Sequence, residues 1–313
     1  MQTWSFVLLI NFSNKLKLCA PKSATCDKLQ NVSNNTEVKI EVEIENLKTQ
    51  ADLLKEGIHA ISASTIGFSE LTSVIGPILV LNETTLRSIL LLAENNHHRD
   101  MIILSRPFLE SVINIGFICS EGDKAVIASK KYAYQKGYRD LFRGIDINDF
   151  KIKSGFSEFI SEFEKAAPKE MKKALSEFTT KKGKEVMEWT PENTKAKLEI
   201  IGKTYGTHVN SLLSFAFFSI YRDVSEIIHN SYYGARIYLG MQQKDMSAFK
   251  NSTEAAEYFG AHQKKLATFI LQQVNISVNA LLNILNQKFG LESTKEIFEK
   301  SNNKLVEYAN SFK

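Results

Sequence analysis

Along most of this chain the apolar residues recur every three or four positions, the spacing that lines one face of an α-helix. Leu47, Leu54, Ile58 and Ile61 follow it. The run just before them, EVKIEVEIE at 37–45, alternates with period two, which alone would signal a strand. Because it leads directly into the helical period, a helix starting near Val38 or Ile44 is expected, with a short strand as the alternative. From 64 to 119 the text reads as a hydrophobic helical block. Gly76-Pro77 is expected to break or kink it, and Asn82-Glu83-Thr84-Thr85 to cap a fresh helix. Pro107 implies a kink or a new start with Ser105 as cap. Residues 121–144 form an amphipathic stretch rich in Tyr and basic side chains, and Thr190-Pro191-Glu192 marks a further helix start. A long apolar helix is expected from about 208 to 232, then a loop from Gly240, a long amphipathic helix over 254–289 and a last helix to the end. The sum is an all-α, multi-helix bundle of six to nine helices.

Composition agrees with that class. Among 313 residues there are only five Pro and fifteen Gly, too few for a many-turned sheet protein of this length. A hydrophobic share of 43% and a charged share of 24% are those of an ordinary globular chain. The net charge of +4 excludes a polycationic nucleic-acid binder, so any such site has to be local. Cys19, Cys26 and Cys119 make no metal pattern, and a reduced, cytoplasmic protein is the expectation. The apolar opening MQTWSFVLLINF has no Lys or Arg before it, against a signal peptide. No later run approaches the ~20 uninterrupted apolar residues of a membrane span, so no membrane partner is expected.

Residues 1–36 read as a poorly structured appendage, and 37–313 as the helical domain. Within it, 146–188 changes character: Phe150, Phe156, Phe159 and Phe163 are interleaved with charge, suggesting two short helices as an insertion or lid. From Lys151 to Lys184 nine Lys face five acids. Lys172, Lys173, Lys181, Lys182 and Lys184 could supply non-specific RNA contacts. The plainer reading is a solvated helical face.

The stretch 215–234, FAFFSIYRDVSEIIHNSYYG, is where chemistry is concentrated. At roughly 100° per residue, Arg222 and His229 project about 20° apart, with Ser225 and Glu226 between them. Tyr221, Ser225 and His229 form a ladder of four-residue steps. His229 could move a proton near neutral pH, and the Arg222 fork could hold phosphate oxygens. RNA brings its own 2′-hydroxyl nucleophile, so neither a metal nor a cofactor is required. The alternative is a polar network that braces the bundle. Arg106 and Glu110 share a second helix face. They read either as an intrahelical ion pair or as a supporting shell in which Glu110 orients His229 or Arg222. His97-His98 are poorly placed to share a metal, and a solvent-exposed helix junction is expected there. P-loop, dinucleotide-binding, zinc-protease and α/β-hydrolase motifs are absent.

RDVSEIIHN resembles the Arg-x4-6-His signature of the HEPN superfamily, helical nucleotide-binding domains of higher eukaryotes and prokaryotes. A wider pattern over roughly 58–238 resembles a bacterial domain family of unknown function. It comprises Arg106-Pro107-Phe108-Leu109-Glu110, then Trp189, then Tyr221, Ser225 and His229 followed by Asn230-Ser231. That second pattern stresses Tyr, Ser and His rather than Arg. The HEPN resemblance implies a metal-independent endoribonuclease in bacterial defence or growth control. It also implies a homodimer across a shared RNA groove, and a partner protein or antitoxin. His229 would then be acid/base and Arg222 the phosphate clamp, with Tyr221, Ser225, Glu226, Arg106 and Glu110 in support. The rival expectations are a non-catalytic binding or scaffold module, and a small-ligand or nucleotide sensor using the same pocket.

Overall fold

A computed structural model of the chain describes residues 39–64, 69–142, 145–147, 150–152 and 168–310, so the expected appendage at 1–36 lies outside the described residues. Ten α-helices are present among them: α1 Ile40–Ala63, α2 Glu70–Glu94, α3 His98–Glu121, α4 Asp123–Phe142, α5 Pro168–Glu177, α6 Thr194–Tyr205, α7 Thr207–Ile228, α8 Tyr232–Tyr238, α9 Ser252–Phe289 and α10 Glu292–Asn310. The all-α bundle read from the sequence is the observed architecture. Two three-residue strands, β1 Ile145–Ile147 and β2 Phe150–Ile152, make a small antiparallel hairpin where the Lys/Phe-rich stretch opens. Of that stretch α5 is the described helix, while Phe156, Phe159 and Phe163 lie outside the described residues.

Helical period outweighs the period-two run at the start of α1. Ile40, Leu47, Leu54 and Ile61 repeat every seven residues and are all buried. A strand would put Val42 beside Ile40 on the apolar face, whereas the helix leaves Val42 exposed. Neither internal proline ends its helix. Pro77 lies within α2 and Pro107 within α3, each on the exposed side, where water can satisfy the carbonyl that the missing N–H would have bonded. Ser105, expected as a cap, instead donates to the Ile102 carbonyl at 2.6 Å inside α3. Asn82–Thr85 likewise lie within α2, whose true cap is Ser69, accepting from the Thr72 N–H. α6 begins at Thr194, capped by Asn193, slightly after the expected Thr190-Pro191-Glu192.

α9, 38 residues and therefore about 57 Å long, is the axis of the bundle. α1, α3, α7 and α10 pack around it, and from Ile270 to Leu285 almost every side chain is buried. Gly290, at φ +62°, ends it in a left-handed conformation open to glycine. By length and composition alone, α2, α3 and α9 are apolar enough to cross a membrane. α9 and α3 turn most of that apolar surface inward, while α2 leaves Val80, Leu81 and Leu91 exposed. Cys119 is buried in α3, and burial pushes its thiol up to about 12, leaving it inert.

Among the described residues, a buried polar layer crosses the core between α1, α9 and α10. Glu43 and Gln50, seven apart on α1, take inward positions that apolar residues would ordinarily fill. Asn279 donates to Ser301 Oγ at 2.9 Å, and Ser301 donates to Gln50 Oε1 at 2.7 Å, linking α9, α10 and α1. Glu43 is 1% exposed, and its partners are the neutral amides of Gln272 and Asn275 rather than a cation. Burial therefore raises its carboxyl from 4.5 to about 7. A raised folded-state pKa means the folded chain holds a proton that the unfolded chain releases. The associated stability is complete below the ordinary carboxylate range and is lost as pH rises to about 7. Urea unfolding between pH 5 and pH 8 is expected to show stability falling with pH by an amount on the order of 3 kcal/mol. Glu43→Gln should flatten that slope, and an unchanged slope would show Glu43 to be ionised throughout.

Candidate functional site

α3 and α7 both pack on α9 and on each other, and their shared seam is polar. Arg106 Nε donates to Glu110 Oε1 at 3.0 Å, one turn along α3. Its Nη1 crosses to α7 and donates to Ser225 Oγ at 3.0 Å. The guanidinium lies 4.4 Å from the centre of the Tyr221 ring, and Tyr221 stacks in turn on Phe217 at 4.7 Å. Ser225 donates onward to the Tyr221 carbonyl. Arg106, Glu110, Tyr221 and Ser225 thus form one network. It is half-buried: the Arg106 side chain is 23% exposed and Glu110 43%.

Arg222, one residue round the helix from Tyr221, points away from this seam. Its side chain is 62% exposed, pairs with its neighbour Asp223 at 3.0 Å and lies over the Phe218 ring. Helix α7 ends at Ile228, earlier than the expected 232. His229 is its C-cap, still with helical angles of φ −75° and ψ −1°. It therefore keeps its expected projection near Arg222. It is exposed, and no hydrogen bond holds its ring among the described residues. The ladder of Tyr221, Ser225 and His229 is divided: two rungs face Arg106 and the third faces solvent. Glu110 reaches Arg106 rather than His229 or Arg222, because its own helix neighbour captures it. Glu226 is half-buried, with its backbone carbonyl against α8.

The turn after His229 is built by residues to which the helical spacing gave no weight. Asn230 adopts φ +51°, a conformation that Asn tolerates and that stops α7. Ser231 then caps α8, accepting from the Gly234 N–H at 2.9 Å. Gly234 packs so closely that a Cβ there would lie 2.1 Å from the Glu226 carbonyl oxygen. Arg99, in the first turn of α3, donates to Asn230 Oδ1 and at 3.4 Å to the Ile227 carbonyl, placing a cation at the C-terminus of α7. Beside this turn is a cavity of about 140 Å³, well under the 300 Å³ or more of ordinary small-molecule sites. The local signal for all this is Asn230-Ser231, a helix stop followed by a helix start.

His98, expected at an exposed junction, is instead half-buried, with Nε2 enclosed and unpartnered. Burial, then the nearby Lys264 charge, holds its pKa below the ordinary histidine range. Among the described residues no cluster of His, Cys, Asp or Glu could hold a metal. Lys172 and Lys173 lie on α5, and Lys181, Lys182 and Lys184 on the tight turn that follows, where Gly183 has φ +76°. All five are exposed and outside any ion pair among the described residues. That unit packs on α4 rather than on the α3–α7 seam.

These environments separate bracing residues from exposed ones. Arg106→Met is expected to cost about 1–2 kcal/mol in urea unfolding, since it removes two charge-assisted hydrogen bonds. Arg222→Ala and His229→Ala should stay within about 0.5 kcal/mol of wild type. Gly234→Ala, which drives a methyl into backbone, should exceed about 2 kcal/mol. Equal costs at Arg106 and Arg222 would contradict this division.

No curated protein and no solved structure matches the chain. A family model, described as a family of unknown function, matches residues 74–247. The matched segment holds the whole α3–α7 seam, Trp189, and the α7–α8 turn with His229. It covers more than half of the chain, and the chain belongs to this family, DUF5677.

Proposed function

We propose that the protein is a HEPN-like endoribonuclease that cleaves RNA without a metal, working as a cytoplasmic homodimer in bacterial defence or growth control. One observation carries the reading. Arg222 and His229 lie at the same end of α7, close in projection and both solvent-reachable, while their polar neighbours are committed to the α3 seam. An exposed imidazole without an internal partner is open to a substrate arriving from solvent.

In this mechanism the His229 imidazole accepts the proton of the RNA 2′-hydroxyl. The 2′-oxygen attacks phosphorus, the bond from phosphorus to O5′ breaks, and a 2′,3′-cyclic phosphate forms. O5′ takes a proton from a second, protonated imidazole, supplied by the other copy in the dimer. The Arg222 fork stabilises the charge gathering on the non-bridging oxygens. Tyr221, Ser225, Arg106 and Glu110 fix the pitch and rotation of α7, and Glu226 lies on the turn between the two active groups. The exposed Lys172, Lys173, Lys181, Lys182 and Lys184 would add sequence-independent attraction for the chain, with a partner protein or antitoxin covering the groove at rest.

Incubation of purified protein with total RNA in EDTA tests this directly. Wild type is expected to cut, leaving 2′,3′-cyclic phosphate ends, and His229→Ala to lose at least about 10²-fold in rate. Arg222→Lys should retain less than Arg222 but more than Arg222→Ala, because a point charge replaces the planar fork. Equal RNA loss in wild type and His229→Ala, or none in either, would refute the catalytic reading and leave a binding module.

A further inference from the structure

We infer that the cavity beside the α7–α8 turn is a subsite for one pyrimidine base of the RNA, next to the bond that His229 would cleave. The inference rests on the ribonuclease reading for its setting, but its own support is the shape and chemistry of the cavity. Ile227, Tyr238 and Leu239 give it apolar walls, and Arg99 and Asn230 line it with polar groups. Asn230 follows His229 directly in the chain, so the cavity and the histidine belong to the same turn, although the His229 ring is not part of the lining.

Size selects the occupant. The volume is about 140 Å³. An apolar protein cavity of about 150 Å³ is known to take a benzene ring, so one six-membered ring fills a space of this size. A fused purine would have to leave part of its ring system outside. Polarity then distinguishes a pyrimidine base from a plain hydrocarbon. Among the described residues Arg99 uses Nη1 on Asp100 and Nη2 on Ile227 and Asn230, which leaves Nε–H without a partner. Asn230 accepts through Oδ1, so its Nδ2 donors are similarly unengaged. A pyrimidine offers carbonyl oxygens to such donors, whereas a purine reaching the same rim would present a ring too large to enter.

Two of the lining residues are packed or paired within the fold. Tyr238 is half-buried, and burial holds its hydroxyl above the ordinary tyrosine range, opposed by the nearby Arg99 guanidinium and by the Arg99 backbone N–H that the hydroxyl accepts. Gly234, held against the Glu226 carbonyl, keeps α8 at a set distance from α7. The cavity opens to solvent on one side, so it discriminates by how much of a ring its apolar walls can cover.

Two measurements test the subsite separately from catalysis. The first maps RNA cut sites by sequencing the cleaved ends. Wild type should prefer a pyrimidine over a purine on one flank of the cut by about 10-fold or more. Ala235→Phe, which places a ring at the lining, should bring that ratio towards unity while RNA is still cut. The second titrates CMP, UMP, AMP and GMP into the uncleaving His229→Ala protein and follows the Ala235 and Leu239 methyl resonances by NMR. CMP and UMP should shift them, AMP and GMP much less, and Ala235→Phe should abolish the response at Leu239. Cutting without flank preference, or equal shifts with all four nucleotides, would overturn the subsite. Pyrimidine-selective shifts with no RNA cutting would retain the subsite while removing the nuclease. Neither shifts nor cutting would remove both.

Discussion

A guanidinium between two helices has to be satisfied, and that requirement at Arg106 organises the α3–α7 half of this molecule. Its side chain is three-quarters removed from water at the α3–α7 contact. Leaving such a group unpaired would cost more than any apolar contact nearby returns. Glu110 answers it from one turn along the same helix, Ser225 from the opposite helix and the Tyr221 ring from its face. Only one sliding and rotational position of α7 against α3 meets all three partners together. The polar seam is therefore a register device laid across an otherwise greasy interface that would tolerate several alignments.

Fixing α7 fixes what its far end presents. With Tyr221 and Ser225 turned towards α3, the helical period turns Arg222 outward. His229, as the C-cap, closes the helix at the surface. Arg99 and Asn230 then pin the end of α7 to the start of α3, and Gly234 lets α8 fold back within backbone contact. The result is an exposed Arg222, paired only with its neighbour Asp223, and an exposed His229 on a well-braced scaffold. The buried polar layer of Glu43, Gln50, Asn279 and Ser301 does comparable work for the opposite side of α9, setting the register of α1 and α10.

The helical class was legible because its signal is redundant: a 3.6-residue period repeated through long segments survives local contradictions such as the alternation at 37–45. Breaks were less legible. Pro77 and Pro107 were expected to break or kink their helices, and neither ends one, because their rings lie on exposed faces and tertiary packing holds both flanks. Conversely Asn230-Ser231 looked like part of a helix but ends one, since a single left-handed Asn outweighs apolar spacing on either side. Arg106, Glu110, Tyr221 and Ser225 could be grouped from spacing within each helix, yet the bond between helices depends on packing that no local pattern encodes. Arg99 belongs to the turn for that reason alone, and nothing in its own neighbourhood distinguishes it from a surface arginine. Glu43 was hidden differently, inside an apparent strand pattern that made it look solvent-facing.

The central claim is that the end of α7, held by the Arg106 seam, is the surface that meets a phosphodiester. An experimental structure of the chain with a 2′-O-methyl RNA, which cannot undergo the 2′-hydroxyl attack, tests it most directly. The account predicts a backbone phosphate on the Arg222 fork, a His229 ring nitrogen about 3 Å from the adjacent 2′-oxygen, and the Arg106–Ser225 bond intact beneath them. RNA bound elsewhere, with Arg222 and His229 still facing bulk water, would contradict it.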